Sequence, residues 1–77
     1  MKTVQISLNS IDKVKSFVNT IARFDNDFDL VSGRYVIDAK SIMGIFSLDL
    51  SKPIDLNVYE GDDMDAVMEA LKPYIVE

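Results

Sequence analysis

Four segments of the chain alternate between apolar and polar residues, the pattern of a β-strand that buries one of its two faces. Short polar or glycine-containing stretches separate them, as expected for turns. The apolar positions that predict these strands are Val4, Ile6 and Leu8; Phe28 and Leu30, before Ser32-Gly33; Tyr35, Ile37 and Ala39, within residues 34–39; and Ile54, Leu56 and Val58, after Pro53.

Three other segments place apolar residues at steps of three and four, the spacing of an amphipathic helix. The first helix is predicted over Ile11–Arg23, with Asn9 and Ser10 as candidate N-caps. A short helical segment, 42–46, follows Ser41, and a last helix is expected to end or kink at Pro73. The stripes are Ile11, Val14, Phe17, Val18, Ile21 and Ala22 in the first helix, and Met64, Val67, Met68 and Leu71 in the last.

The order of elements is therefore strand, helix, strand, strand, short helix, strand, helix. Four strands are too few for two packed sheets, so their apolar face must be covered by the helices. We predict an α+β fold, an open-faced two-layer sandwich with a four-stranded antiparallel sheet. A chain of 77 residues suits one small domain, so residues 1–77 are predicted to form a single domain.

Composition narrows the possible functions. Thirteen acidic and eight basic residues give a net charge of −5, which disfavours binding to nucleic acid or to an anionic membrane. The chain has no cysteine and no histidine, so it lacks the usual nucleophilic thiol, general base and metal ligand. We predict no enzyme activity, no cofactor and no metal site. No apolar run reaches the roughly 18 residues of a membrane span, and a cytoplasmic location is expected.

The segment Lys40–Leu48, KSIMGIFSL, is similar to the regulatory-serine segment of HPr phosphocarrier proteins from Gram-positive bacteria. The segment Arg23–Asp27 resembles the family's turn from helix to strand, and Gly61-Asp62-Asp63 resembles the start of its last helix. The resemblance covers nearly the whole chain and implies a four-stranded antiparallel sheet with three helices on one face. The stretch from Ser32-Gly33 to Ser41 is about one residue longer than the family implies, which a bulge or an altered turn would absorb.

The other functional site of the family departs from its pattern in this chain. HPr proteins carry a phosphorylated histidine, followed closely by Arg-Pro, at the start of the first helix, whereas this chain reads Leu8–Lys13, LNSIDK. Ungapped counting from Phe24 puts Ser10 at the histidine position and Asp12 at the arginine position. Because serine is a poor nucleophile near neutral pH and a carboxylate repels phosphate, we predict that the phosphohistidine relay is lost.

Ser41 has two compatible interpretations. Its hydroxyl can cap the free N–H groups of the short helix. It also resembles the serine that HPr kinase phosphorylates, and a phosphate at a helix N-terminus beside Lys40 is electrostatically favourable.

The apolar residues after Ser41 leave two alternatives. By spacing alone, Ile42, Met43 and Phe46 belong to the core. The resemblance implies instead that, with Lys40, they form a partly exposed patch that docks partner proteins, and methionine with an aromatic ring suits such a surface.

Three functions follow from these observations and the resemblance. The first is a non-catalytic, HPr-like regulatory protein that acts in carbon catabolite repression. Its partners would be HPr kinase, a transcriptional repressor or other proteins of the sugar phosphotransferase system. The second is a degenerate binding module with another partner. The third is an ordinary phosphocarrier of the phosphoenolpyruvate-dependent sugar phosphotransferase system. The chain is expected to be a monomer or a weak homodimer.

Overall fold

The computed structural model describes residues 1–61 and 63–76. All the predicted strands and helices are present. In chain order they are β1 (Lys2–Ile6), α1 (Ile11–Ile21), β2 (Phe28–Ser32), β3 (Tyr35–Asp38), α2 (Ile42–Ile45), β4 (Ile54–Val58) and α3 (Met64–Leu71), followed by a 3-10 turn (Lys72–Tyr74).

The four strands form one antiparallel sheet in the order β1-β4-β2-β3. The last strand in the chain therefore lies inside the sheet, where Leu56 of β4 pairs with Val4 on one side and Leu30 on the other. All three helices cover the same face, and the other face is open. The predicted α+β architecture is confirmed.

The core lies between the sheet and the helices, as the alternating pattern requires. Phe17 of α1 is completely buried and meets the ring of Tyr74 edge to face, with 5.5 Å between ring centroids. The Tyr74 hydroxyl lies 2.5 Å from Ser16 Oγ, so its polar end is satisfied. The other buried apolar residues are Ile6, Leu8, Val14, Ile21, Phe28, Leu30, Ala39, Ile45, Ile54, Leu56, Val58, Val67 and Leu71.

Helix boundaries agree with the capping signals within two residues. Helix α1 begins at Ile11 and ends at Ile21, two residues before the predicted Arg23. Ile11 and Ala22, which the apolar stripe included, are exposed. Both residues lie at the ends of α1, where a side chain on the apolar face need not have another element packed against it. Pro73 does end α3, since the chain continues as a 3-10 turn.

The β2–β3 hairpin closes with a two-residue turn. Gly33, the first turn residue, has φ of 59°, a conformation that favours glycine and that a type II′ hairpin turn requires. Pairing runs without interruption from Ser32↔Tyr35 to Asp29↔Asp38. Of the two expected alternatives, a bulge and an altered turn, the bulge is not found among the paired residues of this hairpin, and a tight turn joins the strands in register.

A buried amide fixes the segment that leads into β2. Asn26 is 1% exposed and donates from Nδ2 to the carbonyl oxygen of Tyr59, at 2.9 Å. Gly61 approaches it so closely that a Cβ there would lie 2.9 Å from Asn26 Cγ. The turn after α1 is thus held against the end of β4. Asp62, part of the predicted start of the last helix, lies outside the described residues; Asp63 caps α3.

None of the helices in the described part of the chain is both long and apolar enough to cross a membrane.

Candidate functional site

Ser10 stands at the N-terminus of α1, as the capping signal predicted. Its backbone is extended, with φ of −147°, and its Oγ accepts a hydrogen bond from the backbone N–H of Lys13 at 3.1 Å. This contact satisfies one of the N–H groups that have no partner inside the helix. Ser10, at the expected phosphohistidine position, therefore has a structural role as a helix cap. Asp12 lies in the first turn of α1, where its negative charge interacts favourably with the positive end of the helix dipole.

An apolar groove of about 280 Å³ joins this end of α1 to the segment after α2. Its two sides come from segments far apart in the sequence, which the packing of α2 beside α1 brings together. The groove is lined by Asn9, Ser10, Ile11, Phe46, Leu50 and Ser51.

The groove has no titratable side chain among these lining residues. A phosphoryl group transferred to Ser10 would therefore find neither a base to take the hydroxyl proton nor a cation within the groove lining. Apolar walls instead suit an apolar side chain of another protein.

Ser41 caps α2 from outside the helix. Its Oγ accepts a hydrogen bond from the backbone N–H of Gly44 at 3.3 Å, and the residue is exposed. A Cβ on Gly44 would lie 3.3 Å from Ser41 Oγ and 3.4 Å from Ile37 Cδ1. The glycine thus leaves room for the capping hydroxyl.

Lys40 precedes Ser41, but its ammonium group is held elsewhere. Nζ donates to the carbonyl oxygen of Phe24 at 2.8 Å and lies 5.6 Å from the ring centroid of Phe28. The Lys40 ammonium group thus stabilises the Phe24 carbonyl group in the turn after α1, and it lies over the ring of Phe28. In this conformation the Lys40 ammonium group makes contacts within the chain. Its role in binding a partner protein stays a prediction.

The apolar residues of α2 divide between core and surface. Ile45 is fully buried, and Leu48 and Ile42 are partly buried against the core. Met43 is 78% exposed and Phe46 is 42% exposed. The core interpretation therefore holds in part for Ile42, whereas Met43 and Phe46 are exposed.

Sequence reasoning missed two apolar residues of the groove. The stripe of the first helix predicts Ile11 to be buried, yet it is 62% exposed. Leu50 belongs to no predicted element, although an apolar residue between Asp49 and Ser51, in a polar loop, is a usable signal. We define the candidate docking surface as Ile11, Met43, Phe46 and Leu50.

The carboxylate of Asp49 lies beside Leu50 of the candidate docking surface. Asp49 accepts hydrogen bonds from Ser51 Oγ at 2.6 Å and from the Ser51 backbone N–H at 3.1 Å. These bonds favour the carboxylate and hold the pKa of Asp49 below its ordinary value. Asp49 is therefore ionised at neutral pH, next to Leu50.

Residues 1–61 and 63–76 contain no group of three or more acidic side chains placed to hold a metal ion.

Comparison with known proteins identifies a family of similar chains. Residues 13–77 match the family model described as the PTS HPr component phosphorylation site. HPr-C-His from Thermoanaerobacter tengcongensis is 31% identical, with a TM-score of 0.77, over 95% of this chain and 89% of that one. The phosphocarrier protein HPr from Bacillus anthracis str. Ames is 33% identical, with a TM-score of 0.71, over 97% and 94% of the two chains.

A third similar structure is the histidine-containing phosphocarrier protein of a Mycoplasma. It shares 17% identity and a TM-score of 0.70, over 94% of this chain and 86% of that one, and at this identity it bears on the fold alone. The family model begins to match at Lys13, after Ser10 and Asp12.

Proposed function

Because this chain belongs to the HPr family of phosphocarrier proteins, we propose that it is a member with a regulatory role, phosphorylated on Ser41 and unable to carry a phosphohistidine. The observation that carries the proposal is the absence of histidine from the sequence, combined with an exposed serine beside an exposed apolar surface. The protein acts without catalysis, in the cytoplasm, by binding other proteins.

The chemistry at Ser10 supports the loss of the relay. A carrier must accept and release a phosphoryl group easily, and an imidazole nitrogen can do so because it is a nucleophile near neutral pH. Ser10 offers a hydroxyl that already caps α1. Asp12 adds a negative charge where the family has a guanidinium, and repels the phosphoryl group.

The position of Ser41 supports phosphorylation. Kinase transfer of the γ-phosphoryl group of ATP to Ser41 Oγ would release ADP and a proton, and would leave about two negative charges on the exposed residue. The phosphate oxygens would replace the long hydrogen bond from Gly44 N–H with charge-assisted ones. Lys40 could turn towards the phosphate only by leaving the Phe24 carbonyl oxygen, so phosphorylation would compete with that internal contact.

Phosphorylation of Ser41 is tested with HPr kinase and ATP. We expect the intact mass of the wild-type chain to increase by one phosphate, and Ser41→Ala to gain none. Ser47→Ala is the matched control, because Ser47 is also exposed in the same segment but donates its hydroxyl to the Gly44 carbonyl oxygen. An unmodified wild type, or a phosphate that remains in Ser41→Ala, would contradict the proposal.

The candidate docking surface supplies the apolar part of partner recognition. With Ser41 phosphorylated, we expect Phe46→Ala to weaken binding to the transcriptional repressor of carbon catabolite control by at least about 30-fold, which corresponds to a central aromatic contact of 2 kcal/mol or more. Calorimetric titration measures the affinity, and Val36→Thr serves as the control because Val36 is exposed but lies on β3. Equal affinity for wild type and Phe46→Ala would exclude this surface.

The family itself supports a second candidate function, a phosphocarrier of the sugar phosphotransferase system. This function needs a nucleophile other than histidine. Incubation with enzyme I and phosphoenolpyruvate separates the two functions, since a carrier would acquire a phosphate from phosphorylated enzyme I. Under the regulatory proposal, the wild-type chain stays unmodified in that incubation.

A further inference from the structure

We propose that two copies of this chain associate through β3, edge to edge and antiparallel, so that their two sheets form one continuous sheet. Strand β3 lies at one edge of the sheet. It presents two exposed apolar residues, Tyr35 at 71% and Val36 at 62% exposure. An open edge of this kind can pair with another strand.

The direction of the backbone groups fixes how such an edge can pair. The N–H of Ala39 donates to the Phe28 carbonyl oxygen at 2.9 Å, and Ser32 pairs with Tyr35 across the tight turn. Hydrogen-bonded residues alternate along an antiparallel pair, so Tyr35, Ile37 and Ala39 direct their backbone groups towards β2. The N–H and C=O of Val36 therefore point out of the sheet.

The sequence of the edge is complementary to itself in one register. If Val36 pairs with Val36 of a second copy, their outward N–H and C=O groups form two reciprocal hydrogen bonds about a two-fold axis. The same register places Arg34 opposite Asp38 of the second copy, and Asp38 opposite its Arg34. The charges and the backbone groups of this edge are therefore complementary to those of a second copy of the chain.

The side chains on the open face support the same register. Val31 lies opposite Val36 within each chain, so pairing would bring four valines into one row across the joined sheets, a favourable cross-strand arrangement. Asp29 lies opposite Asp38, and two like charges in this position repel each other. Arg34 of a second copy would offset one of these two negative charges and weaken their repulsion.

Neither Arg34 nor Asp38 has an ion-pair partner among the described residues of its own chain. The ion pair found among residues 1–61 and 63–76 joins Lys72 to Glu69. Asp38 does accept a hydrogen bond at Oδ1 from the Lys40 backbone N–H, at 2.9 Å, which leaves Oδ2 for a guanidinium. Because β3 has only four residues and each chain carries a charge of −5, the association is weak and reversible.

Sedimentation velocity from micromolar to millimolar concentration tests the proposal. We expect wild-type association to rise with concentration, and Arg34→Asp or Asp38→Arg alone to weaken it about tenfold, since each change reverses two surface ion pairs in the dimer. The double variant R34D/D38R restores the pairs with opposite polarity and should recover association. Comparing Asp38→Arg with the double variant separates association from folding, because both of these variants lose the contact between Asp38 Oδ1 and the Lys40 backbone N–H.

Val36→Pro is the matched backbone test. Proline removes the outward N–H but no bond to β2, and it is tolerated on an edge strand whose N–H faces solvent. We expect it to abolish association, whereas Val36→Thr keeps the N–H and retains most of it; amide NMR spectra check that both variants fold. A wild type that is monomeric at millimolar concentration, or association that survives Val36→Pro but is lost in Phe46→Ala, would overturn the proposal.

Discussion

Phe17→Ala is expected to reduce the free energy of unfolding by about 3–5 kcal/mol, the usual cost of removing a buried aromatic ring. Phe17 is fully buried at the centre of α1 and meets Tyr74 edge to face. The substitution leaves a cavity between α1 and the sheet, and it removes the ring contact that holds the 3-10 turn. A domain of this size has only about 4–12 kcal/mol of stability, so a large part of it would be lost.

Urea unfolding followed by circular dichroism measures this effect. Phe46→Ala is the matched control, because the same side-chain truncation occurs where the ring is 42% exposed. We expect it to cost no more than about 1 kcal/mol. Similar unfolding midpoints for the two variants would show that the core does not depend on Phe17 as the packing indicates.

Most of the fold could be predicted because its signals are local. Alternation located the strands, and steps of three and four located the helices, since each period reflects which face of an element is buried. Ser10, Ser41 and Pro73 marked helix ends for reasons that involve only neighbouring backbone groups. The sequence pattern did not provide the order of the strands, because the position of β4 between β1 and β2 depends on contacts between distant segments.

The candidate site was less predictable because tertiary packing creates it. Ile11 and Leu50 lie far apart in the sequence, and no local pattern indicates that they share a groove with Phe46. Lys40 is a different case, because adjacency to Ser41 does not reveal that its ammonium group donates to the Phe24 carbonyl oxygen. Sequence distance concealed two apolar contacts, and sequence proximity did not show the internal partner of this charge.

The two serines make the same type of capping contact in different chemical surroundings. Both Ser10 and Ser41 precede a helix and accept a hydrogen bond from the backbone N–H three residues later. Ser10 is followed by the carboxylate of Asp12, whereas Ser41 is preceded by Lys40. Because capping alone does not distinguish the two serines, the proposed phosphorylation of Ser41 rather than Ser10 depends on the kinase and on these neighbouring charges.

The double variant S10H/D12R is expected to accept a phosphoryl group from enzyme I and phosphoenolpyruvate, whereas wild type accepts none. An imidazole at position 10 supplies a nucleophilic nitrogen near neutral pH. A guanidinium at position 12 holds the phosphoryl oxygens that the carboxylate of Asp12 repels. The phosphoryl group would pass from phosphorylated enzyme I to the imidazole, whose ring proton is released.

Intact mass before and after mild acid treatment measures the expected acid-labile phosphate. The matched control S10A/D12R has the same arginine and the same loss of the Ser10 cap, worth about 0.5–2 kcal/mol, but no nucleophile, so it should stay unmodified. If S10H/D12R is also unmodified while circular dichroism shows it folded, then Ser10 and Asp12 are not sufficient to explain the loss of the relay. An acid-labile phosphate on the wild-type chain would contradict that loss directly, because a chain without histidine would then carry phosphate by another group.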